Sequence, residues 1–280
     1  LYLPDVATEI RTPDDLFNIR YCARESMVFR IMNAIDLAGF AIPEYHPLET
    51  WERDSFQTGF PPIRHYYGTR TSSWSEPQHR TTALHLDGQG YTISNLTVKP
   101  SPESGRTQGF GLLAGLGQGS IRNLTLTDVD IGDTDYQRNN VGAFVGGLFG
   151  ANPDNFTYDD GVTFENCHAT GALYGESNVG GLVGNANNQS GDPYGLHMEH
   201  CTFDGSVTGT NSVGGLIGKM QFVAADHRIC FCSTAGTVQA ERTVGGLIGT
   251  GGDYRRAPFH VLKVEHCFST ANVTGSSRQI

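Results

Sequence analysis

The chain has 280 residues, of which 36 are glycine, and a formal net charge of −10. No basic cluster offsets this charge, which argues against nucleic acid as a partner. No apolar run approaches the roughly 20 residues that a membrane-spanning helix requires. Because the sequence starts at Leu1 without a methionine, we expect a processed form or a fragment, and the lack of a signal peptide carries no weight.

Residues 1–40 are predicted to form an N-terminal cap with one short helix. Thr12 is a good capping residue, Pro13 fits a first helical turn, and Asp14 and Asp15 suit its positive end. The helix is expected to run to about residue 22, and a strand is predicted over residues 27–37. A solenoid needs a cover for its first coil, and this region fits that purpose.

Residues 41–80 contain both tryptophans and several prolines, and they are predicted to form an irregular excursion along the side of the fold. Two strands around a tight turn at residues 87–90 are expected within residues 81–98. Residues 81–280 are predicted to be β-helix repeats that are open at the C-terminal end.

A glycine-rich motif marks these repeats. It reads Val-Gly-Gly-Leu-(Phe/Val/Ile)-Gly and begins at Val145, Val179, Val213 and Val244, at steps of 34, 34 and 31 residues. Residues 111–114 are interpreted as a degenerate copy of residues 147–150. Periods of this size indicate a solenoid, in which each repeat buries its apolar face against its neighbours. The predicted fold class is therefore all-β, a parallel β-helix with a short N-terminal helical cap.

A cysteine precedes the motif at a fixed distance and predicts an interior column. Leucine fills the same slot in earlier repeats, and free cysteine packs as a small hydrophobe. Because side chains in one column point in parallel, buried free thiols are favoured over disulfides, although a Cα spacing of about 4.8 Å would allow either. The predicted column contains Leu96, Leu124, Cys167, Cys201, Cys232 and Cys267.

The residue before this slot is predicted to lie at a bend. Two apolar positions three residues apart break strand alternation there, and asparagine tolerates the left-handed backbone that such a bend often needs. We expect stacked asparagine amides in the early coils and a degraded ladder later. The corner residues are Asn95, Asn123, Asn166, His200, Phe231 and His266.

The variable loops follow the same strand in each repeat, and we expect them to form one continuous surface. Tyrosines beside charged residues suit carbohydrate or protein contact, although ordinary solvated loops explain them equally. The candidate binding residues are Tyr158, Tyr194, His197, Tyr254 and Arg255. Asn155 and Asn188 lie in loop sequons and are candidate glycosylation sites.

An acidic cluster consists of Asp128, Asp130, Asp133 and Asp135. Oxygen ligands this dense could hold calcium, the one cofactor that the sequence suggests. The cluster does not match the twelve-residue calcium loop. Apolar residues alternate with the acids, so a strand with a solvated outer face explains them as well.

The glycine-rich copies resemble the GLUG-motif repeats of bacterial secreted and surface proteins, which include adhesin-like proteins and the N-terminal regions of immunoglobulin-A-cleaving metallopeptidases. Residues 86–98 resemble the segment that precedes such repeats, and the similarity covers residues 25–280. The resemblance implies a right-handed parallel β-helix located outside the cell or at its surface. It implies no catalysis, since the zinc motif His-Glu-x-x-His is absent. The cysteine column departs from what this family would lead one to expect.

The sequence leaves three candidate functions open. The first is a structural or adhesive solenoid that serves as a stalk, spacer or filament subunit of a cell-surface assembly. The second is a polysaccharide lyase or hydrolase that uses Lys219, Arg228 and the acidic cluster, and the third is a glycan-binding module. Since the last strand stops where the next glycine-rich strand should begin, further repeats or another chain are expected to stack on the C-terminal end.

Overall fold

The computed structural model describes residues 8–22, 27–42, 56–63, 82–101, 109–135, 138–148, 161–187, 195–221, 226–252 and 261–276. The elements up to residue 101 are β1 (Thr8–Ile10), α1 (Pro13–Cys22), β2 (Val28–Ile31), β3 (Ile35–Asp36), β4 (Phe56–Gly59), β5 (Thr82–Asp87), β6 (Thr92–Ser94) and β7 (Thr97–Pro100). Those up to residue 187 are β8 (Leu113–Ile131), β9 (Val145–Leu148), β10 (Val162–Tyr174), β11 (Ser177–Gly180) and β12 (Val183–Asn187). The remainder are β13 (Leu196–Glu199), β14 (Thr202–Gly209), β15 (Asn211–Gly214), β16 (Ile217–Gln221), β17 (His227–Cys230), β18 (Ser233–Ala240), β19 (Val244–Gly245), β20 (Ile248–Gly252), β21 (Leu262–Glu265), β22 (Phe268–Ser269) and β23 (Asn272–Gly275).

The strands stack in parallel, coil upon coil. The first ladder runs through β1, β2, β5, β8, β10, β13, β17 and β21, in that order. Its register brings Ile121, Phe164, Met198 and Ile229 side by side, and all four are buried. The predicted all-β, parallel β-helix is confirmed.

Further ladders complete each coil. The second joins β3, β6, β8, β10, β14, β18 and β23, and the third joins β8, β9, β12, β16 and β20. The short strands β11, β15 and β19 form a small parallel sheet of their own. An exception is β4, which pairs antiparallel with β7.

The helix α1 begins as predicted. The Thr12 hydroxyl accepts a hydrogen bond from the Asp15 amide at 3.1 Å, and the Asp15 carboxylate accepts one from the Thr12 amide at 3.0 Å. This reciprocal pair satisfies amides that a helix start leaves free. Leu16, Phe17 and Ile19 bury their side chains in the same apolar core as the strands. Among the described residues, no helix is long and apolar enough to cross a membrane.

The stacking begins earlier in the chain than residue 81, where the sequence predicted the first repeat. β1 pairs with β2, and β2 pairs directly with β5. Between β3 and β5, the described residues 56–63 also contact the stack, since β4 pairs with β7 and Ile63 pairs with Leu113. The division into a cap, an excursion and a repeat region stays a prediction.

The structure corrects the alignment of the first glycine-rich copy. Val141, not Val145, pairs with Val179 in the next coil, while Val145 pairs with Val183. The first step is therefore 38 residues rather than 34. Phe110 pairs with Val141, so residues 111–114 correspond to the segment that starts at Gly142.

Backbone packing explains why Val141 is the equivalent position. A methyl group at Gly142 would lie 2.5 Å from the carbonyl oxygen three residues later, and one at Gly180 or Gly214 would lie 2.1 or 2.0 Å from the corresponding oxygen. Only glycine fits this close approach. Two Val-Gly pairs that start four residues apart occur in residues 141–146, and residue identity alone favoured the wrong one.

A second correction concerns Leu96, which was predicted to share the cysteine column. Thr97 pairs with Asp130 and Val98 with Ile131, so Leu96 lies against Val129 instead. Asn95 and Asp128 occupy that corner, both with positive φ of 59° and 54°. The same signature of an asparagine before a leucine thus marks two different corners of the coil, because both bends require a left-handed residue.

Candidate functional site

One corner of the coil has the same backbone conformation in five successive layers. Its residues have φ between 50° and 54° although none of them is glycine. They are Asn123, Asn166, His200, Phe231 and His266. Left-handed non-glycine residues persist where the surroundings hold them in place.

Side-chain stacking holds this corner together in two ways. In the early layers the Asn166 amide donates to the Asn123 oxygen at 3.1 Å, and the Asn123 amide donates to Asp87 at 3.3 Å. In the later layers the rings of His200, Phe231 and His266 stack at centroid distances of 5.0 and 4.9 Å, tilted by only 8°. The ladder is therefore continued by aromatic rings rather than degraded.

The four predicted cysteines lie one above another, next to this corner. Leu124 pairs with Cys167, and the neighbouring register pairs carry the column through Cys201 and Cys232 to Cys267. All four are free thiols. The first three are fully buried, while Cys267 in the last layer is half-buried.

Two of these thiols, Cys201 and Cys232, are held neutral by their environment. A side-chain hydrogen bond with Cys167, together with burial, raises the pKa of Cys201. The corresponding bond with Cys201 and burial raise the pKa of Cys232. Since the thiolate is the nucleophile and the metal ligand, Cys201 and Cys232 act as core residues rather than reactive groups.

A shallow trough lies on the outer face of β10, β13 and β17. Its volume is about 110 Å³, and two outward columns of side chains line it together with Phe164 and Met198. One column contains Thr163, His197 and Arg228, and the other contains Glu165, Glu199 and Cys230. Burial raises the pKa of the Cys230 thiol, and the carboxylate of Glu199 raises it further.

The trough brings together hydrogen-bond donors and acceptors, among them side chains of both charges. His197, a candidate from the sequence, is exposed and pairs in register with Arg228. Arg228 also reaches Glu265 of the following layer, with Nε and Oε2 3.5 Å apart. The sequence analysis did not predict this juxtaposition. The cysteine column was the signal that could have revealed this contact. Residues 165, 199 and 265 each stand two positions before one of its cysteines, so they share a column.

The remaining candidate binding residues lie outside the described residues: Tyr158, Tyr194, Tyr254 and Arg255. The candidate glycosylation sites Asn155 and Asn188 also lie outside them. The proposed binding and glycosylation roles of these residues therefore stay predictions.

The acidic cluster is described in full, and two of its carboxylates have partners in the structure. Asp130 forms an ion pair with Lys99, and Asp133 accepts a hydrogen bond from the Asp135 amide at 2.7 Å. The intervening Val129 and Ile131 are buried, as in a strand with a solvated outer face. Within the described ranges, no three histidine, cysteine, aspartate or glutamate side chains are grouped so that they could hold a metal ion. The calcium hypothesis for Asp128 and its neighbours stays a prediction.

Comparisons with known proteins agree with the fold. A 101-residue segment is 38% identical to halomucin of Haloquadratum walsbyi, a match that covers 35% of this chain and 1% of halomucin. The crystal structure of a predicted immunoglobulin A1 protease from Bacteroides ovatus superposes with a TM-score of 0.62 at 19% identity, over 98% of this chain and 78% of that one. No family model matches the chain, so the resemblance to the GLUG-motif repeats stays a hypothesis. At this level of identity, what the chain shares with the Bacteroides protein is the β-solenoid fold.

Proposed function

We propose that this chain is an extracellular structural β-solenoid, a non-catalytic stalk, spacer or filament module of a cell-surface assembly. One observation carries the proposal: parallel pairing continues through all eight described strands of the first ladder, from β1 to β21. A function that depends on length and stiffness needs such continuity.

The hydrogen bonds between successive strands of the ladder run along the axis of the coil. Neighbouring strands lie about 4.8 Å apart, so eight strands span roughly 34 Å. Inward residues such as Phe164 and Val207 are fully buried, because the neighbouring layers cover them. Stability in such arrays is close to a sum of nearest-neighbour interfaces, so length is added without loss of order.

Similarity to a small part of halomucin supports a module of a larger protein. The fold shared with a predicted immunoglobulin A1 protease is compatible with secretion. Both observations favour an extracellular setting over an intracellular one.

Antibodies raised against the folded chain test the location. Intact cells of the source organism should be labelled as strongly as permeabilised cells, and protease added outside should remove the signal. Labelling that requires permeabilisation would refute the extracellular role. The non-catalytic part has its own test: release of unsaturated sugars from acidic polysaccharides, abolished by Arg228→Ala, would overturn it.

The trough supports a second candidate function, the binding of glycans. Its mixture of hydroxyl, imidazole, guanidinium and carboxylate groups suits the hydroxyl groups of a sugar ring. If glycans bind there, Arg228→Ala should abolish the signal on a glycan array. Arg242→Ala, which changes an exposed arginine elsewhere on the coil, should leave it intact. Equal loss in both variants, or no binding by the native chain, excludes this candidate.

A further inference from the structure

The trough on β10, β13 and β17 contains two carboxylates that stand side by side. Glu165 of β10 is the register partner of Glu199 of β13, and register partners on neighbouring parallel strands have Cα atoms about 4.8 Å apart. Like charges directly opposite each other on neighbouring strands destabilise a sheet. A positive charge placed between the two carboxylates would remove this repulsion.

The arginines nearest to this pair already have partners. Arg122, which pairs in register with Glu165 from the preceding coil, directs its Nε to the Asp87 carboxylate at 3.3 Å. Arg228 directs its Nε to the Glu265 carboxylate at 3.5 Å. The charges on either side of the central glutamates are therefore matched to other groups.

Among the described residues, the one ion-pair contact of the two glutamates is with a histidine. His200 Nε2 lies 3.8 Å from Glu199 Oε1, and both side chains are about half exposed. This distance exceeds that of a hydrogen bond, and exposed pairs of this kind contribute little. Lys263 lies one layer beyond Arg228 and does not line the trough. The centre of the trough therefore carries an excess of negative charge.

The other lining groups form hydrogen bonds rather than ion pairs. Thr163 and His197 stand two residues before the glutamates of their strands, so they lie on the same outer face, about 7 Å away along the strand. The Cys230 thiol also lines the trough, is only 1% exposed, and has no hydrogen-bond partner for its sulfur among the described residues. A ligand with one cationic group and several hydroxyl groups matches this arrangement.

An organic cation suits the trough better than a metal ion. Calcium takes six to eight oxygen ligands, and two carboxylates supply too few of them. Within the described ranges no group of three metal-ligating side chains is present. The volume of about 110 Å³ limits the recognised group to about one sugar unit.

We propose that the trough binds a glycan unit that carries a protonated amino group, with the ammonium between Glu165 and Glu199 and the ring hydroxyls beside His197. An ammonium is a compact charge with three N–H donors, so it contacts both carboxylates at once. The net charge of −10 attracts cationic saccharides over longer distances. The inference names the ligand class of the glycan-binding candidate and rests on that candidate.

A glucosamine trisaccharide and its fully N-acetylated form separate recognition of the amino group from recognition of the ring. In calorimetric titrations at about 50 mM salt and slightly acidic pH, the native chain should bind the amine form about tenfold more tightly, since acetylation removes the charge. Salt at about 500 mM should remove most of this difference by screening. Equal affinities would overturn the inference and leave the glycan candidate intact, whereas binding of neither form would overturn both.

The variants Glu165→Gln and Glu199→Gln keep the shape of the trough and remove one charge each. Each should weaken binding of the glucosamine trisaccharide by up to about fivefold and leave the N-acetylated form unaffected. Glu241→Gln is the matched control, because Glu241 is exposed and lies outside the trough. An equal loss in the control, or no loss in the two trough variants, would overturn the inference.

Thermal unfolding separates a binding role of the glutamates from a structural one. Without ligand, each trough variant should unfold at the native midpoint or slightly above it, because one of two like charges is removed. With the trisaccharide, its midpoint should rise less than that of the native chain. A lower midpoint in the ligand-free variants would show that the glutamates support the fold, and it would count against the proposal.

Spermidine and a lysine-containing peptide test other carriers of an ammonium group. Both should bind more weakly than the glucosamine trisaccharide, because they lack the ring hydroxyls. Equal or tighter binding that disappears in Glu165→Gln would assign the trough to another kind of amine and overturn the proposal. These assays use the purified chain, so their failure and a failure of the surface-labelling experiment remain distinguishable.

Discussion

Substitution of Gly214 by alanine should loosen the stack more than any surface change. The methyl group would lie 2.0 Å from the Ile217 carbonyl oxygen and 2.5 Å from the amide nitrogen of Gly249 in the next coil. Both neighbours are backbone atoms, so relief requires two layers to move apart. Overpacking costs typically 1–3 kcal/mol, and with two backbone contacts we expect about 3 kcal/mol. At about 2–4 °C per kcal/mol, the thermal midpoint should fall by roughly 6–12 °C.

Gly252→Ala is the matched control, because no atom lies within 4 Å of its added methyl group. Neither glycine has a positive φ, so backbone strain does not distinguish them. The control should be neutral or stabilised by up to about 1 kcal/mol through lower entropy of the unfolded chain. Thermal unfolding followed by circular dichroism measures both variants. Equal midpoints for Gly214→Ala and Gly252→Ala would refute the packing argument.

Three further predictions concern the corner and the thiol column. Because the pKa of Cys201 is raised, the folded state keeps a proton that the unfolded chain releases above about pH 8.5. The free energy of unfolding should therefore fall by about 1.4 kcal/mol per pH unit for this thiol, and Cys201→Ala should reduce the slope by that amount in urea titrations. Phe231→Asn should lower the free energy of unfolding by about 1 kcal/mol through lost ring stacking. Phe231→Val should lower it further, since β-branched residues resist positive φ. The reverse order in denaturant midpoints would contradict this. Asn123→Asp places a carboxylate against Asp87, so it should cost about 1–3 kcal/mol at pH 7 and less near pH 4, where an unchanged loss would speak against charge repulsion.

The stacking of like residues was predictable from the sequence, because a period fixes which residues meet. Cysteines at a constant distance from a glycine motif had to share a column, and the register pairs from Cys167 to Cys267 bear this out. The helix start at Thr12 was equally accessible, since capping depends on local residues.

Three features could not be predicted from the same sequence. Leu96 and Leu124 follow asparagines with similar φ of 59° and 52°, so local signature could not tell which corner each occupies. The pairing of Val141 with Val179 depends on contacts between coils. The trough arises from side chains of three layers, and its shape depends on how Arg228 is drawn toward Glu265. These outcomes are set by tertiary contacts rather than by local preference.

The connections between the third and first ladders differ in length while the strands on either side keep their register. They contain 8, 5 and 9 residues between β12 and β13, β16 and β17, and β20 and β21. Foreign sequences placed at these points should be tolerated, because loop closure costs only about 0.6 kcal/mol for each doubling of length. One added residue between Val141 and Gly146 would instead misplace glycines wedged against adjacent layers. The molecule thus separates positions where evolution or an engineer can graft new recognition segments from positions where no insertion fits.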